Sequence, residues 1–324
     1  MPTPRSQQLF LSETPYYHCV SRCVRRAFLC GTDAVTEQSF EHRRAWVQDR
    51  LLFLSSLYTI DVCAFAVMSN HTHIVVKINE QEANKLSEKQ VLERWHNLHF
   101  GTLLTRKFCQ DETFDDALLP TVKATVKIYR SRLSSLSWFM KDLNEYVARL
   151  ANAEDECTGR FWEGRFSSQA LLDDASLLAC MAYVDLNPIR AQVAKSLKQS
   201  DHTSIQLRIQ AAINNKQPTS LLPFTGGYSL KKLNGISFKA KDNVQLVEAT
   251  GRCQRKNKRG HINSKDNDLL AELGIGEDNW LTITQHFEEY FKGAVGNQDS
   301  LDEHIHQAQL KRRPNNNNSI RYFA

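Results

Sequence analysis

The sequence predicts an α+β protein: a ferredoxin-like, split β-α-β antiparallel sheet with helices on one face, followed by a mostly helical C-terminal accessory region. Three observations carry this. Residues 15–78 read strand, helix, strand, tight turn, strand, with apolar side chains alternating in the strands and recurring every three to four positions in the helix. Two further helical patterns, over 131–153 and 173–190, flank a short strand-like segment at 167–171. A stretch with Pro218, Pro223 and Gly226-Gly227 then separates the remainder of the chain.

In order, Tyr16-Tyr17-His18-Cys19-Val20-Ser21-Arg22 follows Pro15 as a first strand, and Arg22, Arg25 and Arg26 make a cationic loop after it. Phe40, Trp46-Val47, Leu51, Leu54 and Leu57-Tyr58 recur at helical spacing over 37–58. Ile60, Val62, Ala64 and Ala66 alternate over 59–67, and a turn at Ser69-Asn70 leads into a strand through His71, Thr72, His73, Ile74, Val75, Val76, Lys77 and Ile78. Residues 79–130 read as a polar, less regular insertion. Over 131–153, Leu133, Leu136, Met140, Leu143, Val147 and Leu150 form a core-facing stripe. The octet 159–166 mixes Arg160 and Arg165 with Phe161, Trp162 and Phe166, a composition that can hold phosphates and stack on unpaired bases or simply plug a core. Residues 167–171 are expected as an edge strand. Asp173 or Asp174 caps the next helix and Pro188 closes it. Residues 206–234 are expected as a linker and 235–324 as a separate region with a disordered tail from about 311; His304-Ile305-His306, in the polar stretch that runs into it, is also read as solvated tail. That region carries Arg252, Arg255, Lys256, Lys258 and Arg259 without an acidic residue between them, then an amphipathic pattern through Trp280, Ile283, Phe287 and Phe291.

At 324 residues the chain can bury a sizeable core, and its net charge of +5 permits an acidic partner without demanding one. Eight scattered cysteines form no Cys-x-x-Cys pair, which argues against a structural zinc ribbon and fits a reducing cytoplasm; Cys63 and Cys180 lie in apolar patterns and read as small hydrophobes. No signal peptide and no membrane span are expected.

Two stretches carry candidate chemistry. His71 and His73 lie two residues apart on a strand, so both imidazoles project from one face while Thr72, Ile74, Val76 and Ile78 project from the other; two such rings can hold a divalent metal. In the 173–190 helix, Leu177, Leu178, Met181 and Val184 make the apolar stripe. At 100° per residue Tyr183 falls about 150° from its centre and Asn187 about 40° from Tyr183, so the phenol and the amide share a polar face.

Together these segments resemble the single-tyrosine HUH transposases of the insertion-sequence type, most of all the bacterial REP-associated tyrosine transposases. The resemblance rests on Tyr17-His18-Cys19-Val20-Ser21-Arg22, on Val67-Met68-Ser69-Asn70-His71-Thr72-His73, on the 159–166 octet and on Tyr183-Val184-Asp185-Leu186-Asn187-Pro188-Ile189-Arg190-Ala191. It spans about residues 15–205, with 79–130 outside it. The family pattern has a hydrophobic residue where this chain has Thr72, whose side chain faces away from the histidines. The resemblance implies an HUH catalytic domain over 1–205 that cleaves and rejoins single-stranded DNA beside hairpins. It implies Tyr183 as nucleophile and His71, His73 and Asn187 as ligands of Mg²⁺ or Mn²⁺. Arg22, Arg25, Arg26, Arg160, Trp162, Arg165 and Arg190 become the expected DNA contacts, with Arg255, Lys256, Lys258 and Arg259 as an accessory phosphate patch. It also implies a bacterial cytoplasmic protein and allows a homodimer. The alternative is a non-catalytic hairpin-binding regulator of the same fold. A metal-dependent nuclease using activated water is a further rival; a histidine-triad hydrolase would need a third histidine where Val75 stands.

Overall fold

Alternation within residues 16–78 builds three strands of the sheet. The computed structural model describes residues 11, 13–24, 29–33, 37–110, 115–226, 234–254, 262, 264–309 and 314–323. Strand β1 (Tyr16–Arg22) is followed by helix α1 (Arg43–Leu57) and by the hairpin of β2 (Ile60–Val67) and β3 (His71–Ile78). Then come α2 (Glu80–Lys85), α3 (Glu88–His96), α4 (Leu103–Cys109), α5 (Leu119–Leu133) and α6 (Leu136–Glu154). Next are β4 (Ser167–Leu171), α7 (Asp174–Asp185), α8 (Asn187–Arg190) and α9 (Ser204–Ile213). The rest holds α10 (Ala240–Cys253), α11 (Ser264–Glu272), α12 (Glu277–Tyr290), β5 (Ala294–Val295), α13 (Gln298–Ala308) and α14 (Asn316–Tyr322). The protein is α+β, with one five-stranded mixed sheet in the order β2-β3-β1-β4-β5. The first four strands pair antiparallel, and β5 adds to β4 in parallel.

Helices cover both faces of this sheet, which corrects the expectation of helices on one face. Ile74, Val76 and Ile78 of β3 join Val47, Leu51 and Leu54 of α1 and Phe139, Leu143 and Val147 of α6 in one core. Val75 faces the other way and joins Ala64 and Ala66 of β2, the buried face of α7, and Trp280, Ile283 and Phe287 of α12 in a second core. Strand β3 is buried on both faces, Ile74, Val76 and Ile78 on one and His73 and Val75 on the other, so both must find packing partners. Small residues on α7 (Ala175, Ala179, Ala182) and on β2 let helix and sheet approach closely. Arg43 is fully buried and pairs with Glu154 (2.6 Å) and Asp155, fastening α1 to the end of α6.

Other elements differ from their sequence reading. The 79–130 insertion is helical, and α3 and α5 bury Val91, Leu92, Trp95, Val126 and Tyr129 in a core of their own. The helix expected over 131–153 is two helices, broken at Ser134-Ser135. Strand β4 is not an edge, because Ala294 and Val295 cover it. The segment read as solvated tail holds α13 and α14: His304 is buried and bonded to Glu13, and Tyr322 and Phe323 are buried. Asp173 caps α7 as expected, accepting from the Ser176 amide at 2.8 Å, and its second oxygen accepts from the Asn297 amide at 2.7 Å. Residues beyond 234 thus add to the same sheet and cores as the first half. None of the eight cysteines forms a disulfide, and Cys63 and Cys180 are fully buried. Among the described residues no helix is long and apolar enough to cross a membrane.

Thr72 is buried on the α1–α6 side and its hydroxyl has no hydrogen-bond partner. A buried unmatched hydroxyl costs about 1–3 kcal/mol, so Thr72→Val, of the same shape, should stabilise the protein by about 1 kcal/mol. Denaturant midpoints of the two proteins check this.

Candidate functional site

The antiparallel register places Arg22 opposite His71 and Val20 opposite His73. The odd-numbered positions of β3 and the even-numbered positions of β1 therefore share the face that α7 and α12 cover, and His18, His71 and His73 gather there. His71 Nε2 and His73 Nε2 stand 2.9 Å apart. His73 Nδ1 lies 3.0 Å from His18 Nε2, and His18 Nδ1 lies 3.2 Å from Gln169 Oε1 on β4. His71 Nδ1 lies 2.6 Å from Asn70 Oδ1.

Tyr183 stands over this group. Its ring centroid is 5.5 Å from that of His73 and 6.3 Å from that of His18, both edge-on. The tyrosine is not on an exposed polar face, because α7 is buried all round. Phe287 of α12 packs on its ring, the Arg190 guanidinium lies 4.1 Å above it, and its hydroxyl donates to Glu288 Oε2 at 3.3 Å. The other Glu288 oxygen faces Arg22 at 3.6 Å. Burial raises the phenol above its ordinary range, opposed by the Arg190 charge. Burial and the charges of Arg22, His18 and Arg190 push His71 down to about 4. Burial, then the neighbouring His18 and His71, holds His73 well below its ordinary value, and burial lowers His18 as well. At neutral pH the three imidazoles are neutral, the form that binds metal.

The donor set suits a cation. Two nitrogens each about 2.1 Å from one ion and at right angles lie about 3 Å apart, the spacing of the two Nε2 atoms. Among the described residues no group of three or more His, Cys, Asp or Glu side chains is placed to hold a metal, so a cation on this pair needs oxygen ligands from elsewhere. Asn187 is buried, but it opens α8 rather than continuing α7, and no hydrogen bond links it to either histidine.

The remaining expected DNA contacts scatter. Arg160 and Arg165 are exposed, and Arg165 lines a groove of about 420 Å³ with Met140, Lys141 and Phe166. Trp162 is turned into the core, its indole N–H donating to the Asn144 carbonyl at 2.8 Å. Arg190 points inward too: its Nη1 donates to the carbonyls of Tyr183 and Thr284, both at 2.9 Å, and burial pushes its pKa down to about 10. That corrects its reading as a free phosphate contact, since the guanidinium holds α7 to α12. Arg25, Arg26, Arg255, Lys256, Lys258 and Arg259 lie outside the described residues. Gln169 and Glu288 carried no sequence signal, and His18 only its place in the first strand and in the first of the matching segments, with no role attached; they join the site through strand pairing and helix packing.

No protein-family model and no curated protein matches the sequence. Among solved structures, one described as the REP-associated tyrosine transposase bound to a REP hairpin is similar over 67% of this chain and 90% of that chain, at 9% identity and a TM-score of 0.36. At that level the likeness is distant, and the chemistry has to be read from this chain's own residues.

His71 sits near pKa 4 when folded against about 6.5 when unfolded, so the native state binds fewer protons in that interval. Its contribution to stability is complete above pH 6.5 and is lost as pH falls toward 4. With a chelator present, stability should drop between pH 7 and 5 by up to about 2 kcal/mol from His71 alone. Urea denaturation of wild type and His71→Asn checks this, and the variant should show the shallower slope.

Proposed function

We propose that the chain is a metal-dependent, single-stranded DNA transposase and endonuclease of the HUH type, which cleaves and rejoins DNA at hairpin-flanked sites through a 5′-phosphotyrosine. The observation that carries this is the meeting of Tyr183 with the His71–His73 pair, from segments more than a hundred residues apart, on one side of one sheet. The strand order β2-β3-β1-β4, antiparallel throughout, supports the ferredoxin-like HUH reading of the fold.

His71 and His73 would hold Mg²⁺ or Mn²⁺, with Asn187 or phosphate and water oxygens completing the shell. When bound, the ion supplies a Lewis acid that draws charge from a phosphodiester. The chain's own residues do the rest. The Tyr183 oxygen forms a bond to phosphorus and the bond from phosphorus to the 3′ oxygen breaks, leaving a 3′ hydroxyl. A phenol is a weak nucleophile until its proton leaves, and Glu288 already accepts the hydrogen bond from that hydroxyl. Arg22 offsets the Glu288 charge and, half-exposed, is placed at the rim for a phosphate. Attack by a second 3′ hydroxyl on the phosphotyrosine reverses the step on a new strand without ATP. Exposed Arg160 and Arg165 would track the backbone.

A hairpin-binding regulator of the same fold is the second reading. It is favoured by the burial of Tyr183, which Arg190 and α12 leave 8% exposed. A covalent adduct separates the transposase from the regulator and from a nuclease using water, neither of which forms one.

On a denaturing gel, wild-type protein with Mn²⁺ and a 3′-labelled hairpin oligonucleotide should give a shifted protein–DNA band. Tyr183→Phe should abolish that band and leave hairpin binding intact; a variant that still cleaves would remove Tyr183 from the nucleophile role. Glu288→Gln should slow adduct formation roughly 100-fold or more. Hairpin affinity should fall steeply between 50 and 200 mM salt, by roughly 10-fold or more for a few phosphate contacts.

A further inference from the structure

The rings around His73 carry more information than their distances. A neutral imidazole has one N–H and one lone pair, and a metal needs the lone pair at the right nitrogen. The arrangement in this chain can be followed from a fixed end. Gln169 Nε2 donates to the Phe291 backbone carbonyl at 2.7 Å, and a carbonyl can only accept. That orients the Gln169 amide, so its oxygen faces His18 Nδ1 at 3.2 Å. An amide oxygen also only accepts, so His18 carries its proton on Nδ1. His18 is 2% exposed, and its ring nitrogens meet only an amide oxygen and a second imidazole, with no carboxylate bonded to the ring to hold a second proton, which leaves a lone pair on its Nε2. His73 Nδ1, 3.0 Å away, must then donate, and the His73 lone pair falls on Nε2, facing His71 Nε2. His71 Nδ1 lies 2.6 Å from Asn70 Oδ1, and donating there leaves the His71 lone pair on Nε2 as well. In that arrangement two lone pairs face each other across 2.9 Å, the place for a cation.

We propose that the relay from the Phe291 carbonyl through Gln169 and His18 fixes the His73 tautomer and makes its Nε2 a ready metal ligand, so that docking of the C-terminal segment sets the competence of the site. His18 and Gln169 are positioning residues: neither touches a substrate, and both act through His73. The relay crosses three strands and a loop. Gln169 pairs opposite His18 in the register of β1 and β4, and Phe291 follows α12 directly before β5. The segment that supplies the anchor also supplies Glu288 to Tyr183, so one docking event organises both halves of the site. The inference deepens the proposed metal reading and rests on it for its purpose, but the tautomer itself does not.

The test is ¹⁵N NMR of histidine side chains in the full-length protein with chelator present, alongside Mn²⁺ titration by calorimetry. In the wild type, His73 should show a protonated Nδ1 and an unprotonated Nε2. Gln169→Met keeps the side-chain length and removes both hydrogen bonds; it should mix the His73 tautomers and weaken Mn²⁺ binding about 10- to 100-fold, as loss of an outer-shell partner does. His18→Leu, a second variant should the first fail to fold, should move the proton population of His73 toward Nε2. A wild-type His73 protonated at Nε2, or a folded Gln169→Met with unchanged tautomer and Mn²⁺ affinity within about twofold, overturns the relay. A wild type with the stated tautomer and no Mn²⁺ binding refutes the metal half of the proposal and the metal reading of the site, a failure the tautomer signals identify separately.

Discussion

A strand buried on both faces can carry an imidazole only if both ring nitrogens have partners. Strand β3 is such a strand, and His73 on it is fully buried. Leaving a polar nitrogen unmatched there would cost a few kcal/mol. The fold meets the demand sideways, through His18 on β1 and Gln169 on β4, rather than through solvent. The polar content of this core is therefore a line across the sheet, with Phe291 at one end and the facing Nε2 atoms of His73 and His71 at the other.

The same constraint explains why the last third of the chain matters. The face shared by the sheet and α7, which carries Tyr183 and His18, is closed by the last third of the chain. Helix α12 covers it: Phe287 packs on Tyr183 and His18, and Arg190 donates to carbonyls of both α7 and α12. In doing so α12 brings a carboxylate to the tyrosine hydroxyl. Glu288 and Arg22 neutralise one another at the rim, which keeps an acidic group tolerable beside a site read as phosphate-binding. Packing and chemistry are supplied by one helix.

The first half of the sheet was legible because its signals are local. The strand at 16–22, the hairpin at 60–78 and the cap at Asp173 each follow from alternation, a turn or a side-chain hydrogen bond within a few residues. The common face of His71 and His73 followed from the period of two alone. The helical wheel of α7 gave Tyr183 a direction away from the Leu177–Met181 stripe, and the direction held while its meaning changed: what lies there is α12, not water. The insertion was hard to read because α2, α3 and α4 are short, and α3 and α5 bury their apolar residues in a separate core around Trp95. Trp162 and Arg190 are turned inward by partners that no local pattern shows, the carbonyls of Asn144, Tyr183 and Thr284.

By itself the sequence determined which residues could share a face: the two imidazoles on one side of β3, and the phenol away from the apolar stripe of its helix. Backbone geometry over a few residues is enough for that. Only the tertiary structure decided which faces meet. That His18, Gln169 and Glu288 attend the site depends on strand register and on α12 docking against α7, contacts between segments 55 to 151 residues apart for the hydrogen bonds of His18 and 105 for that of Tyr183. No local pattern encodes such pairings, because they exist only once the whole core has closed.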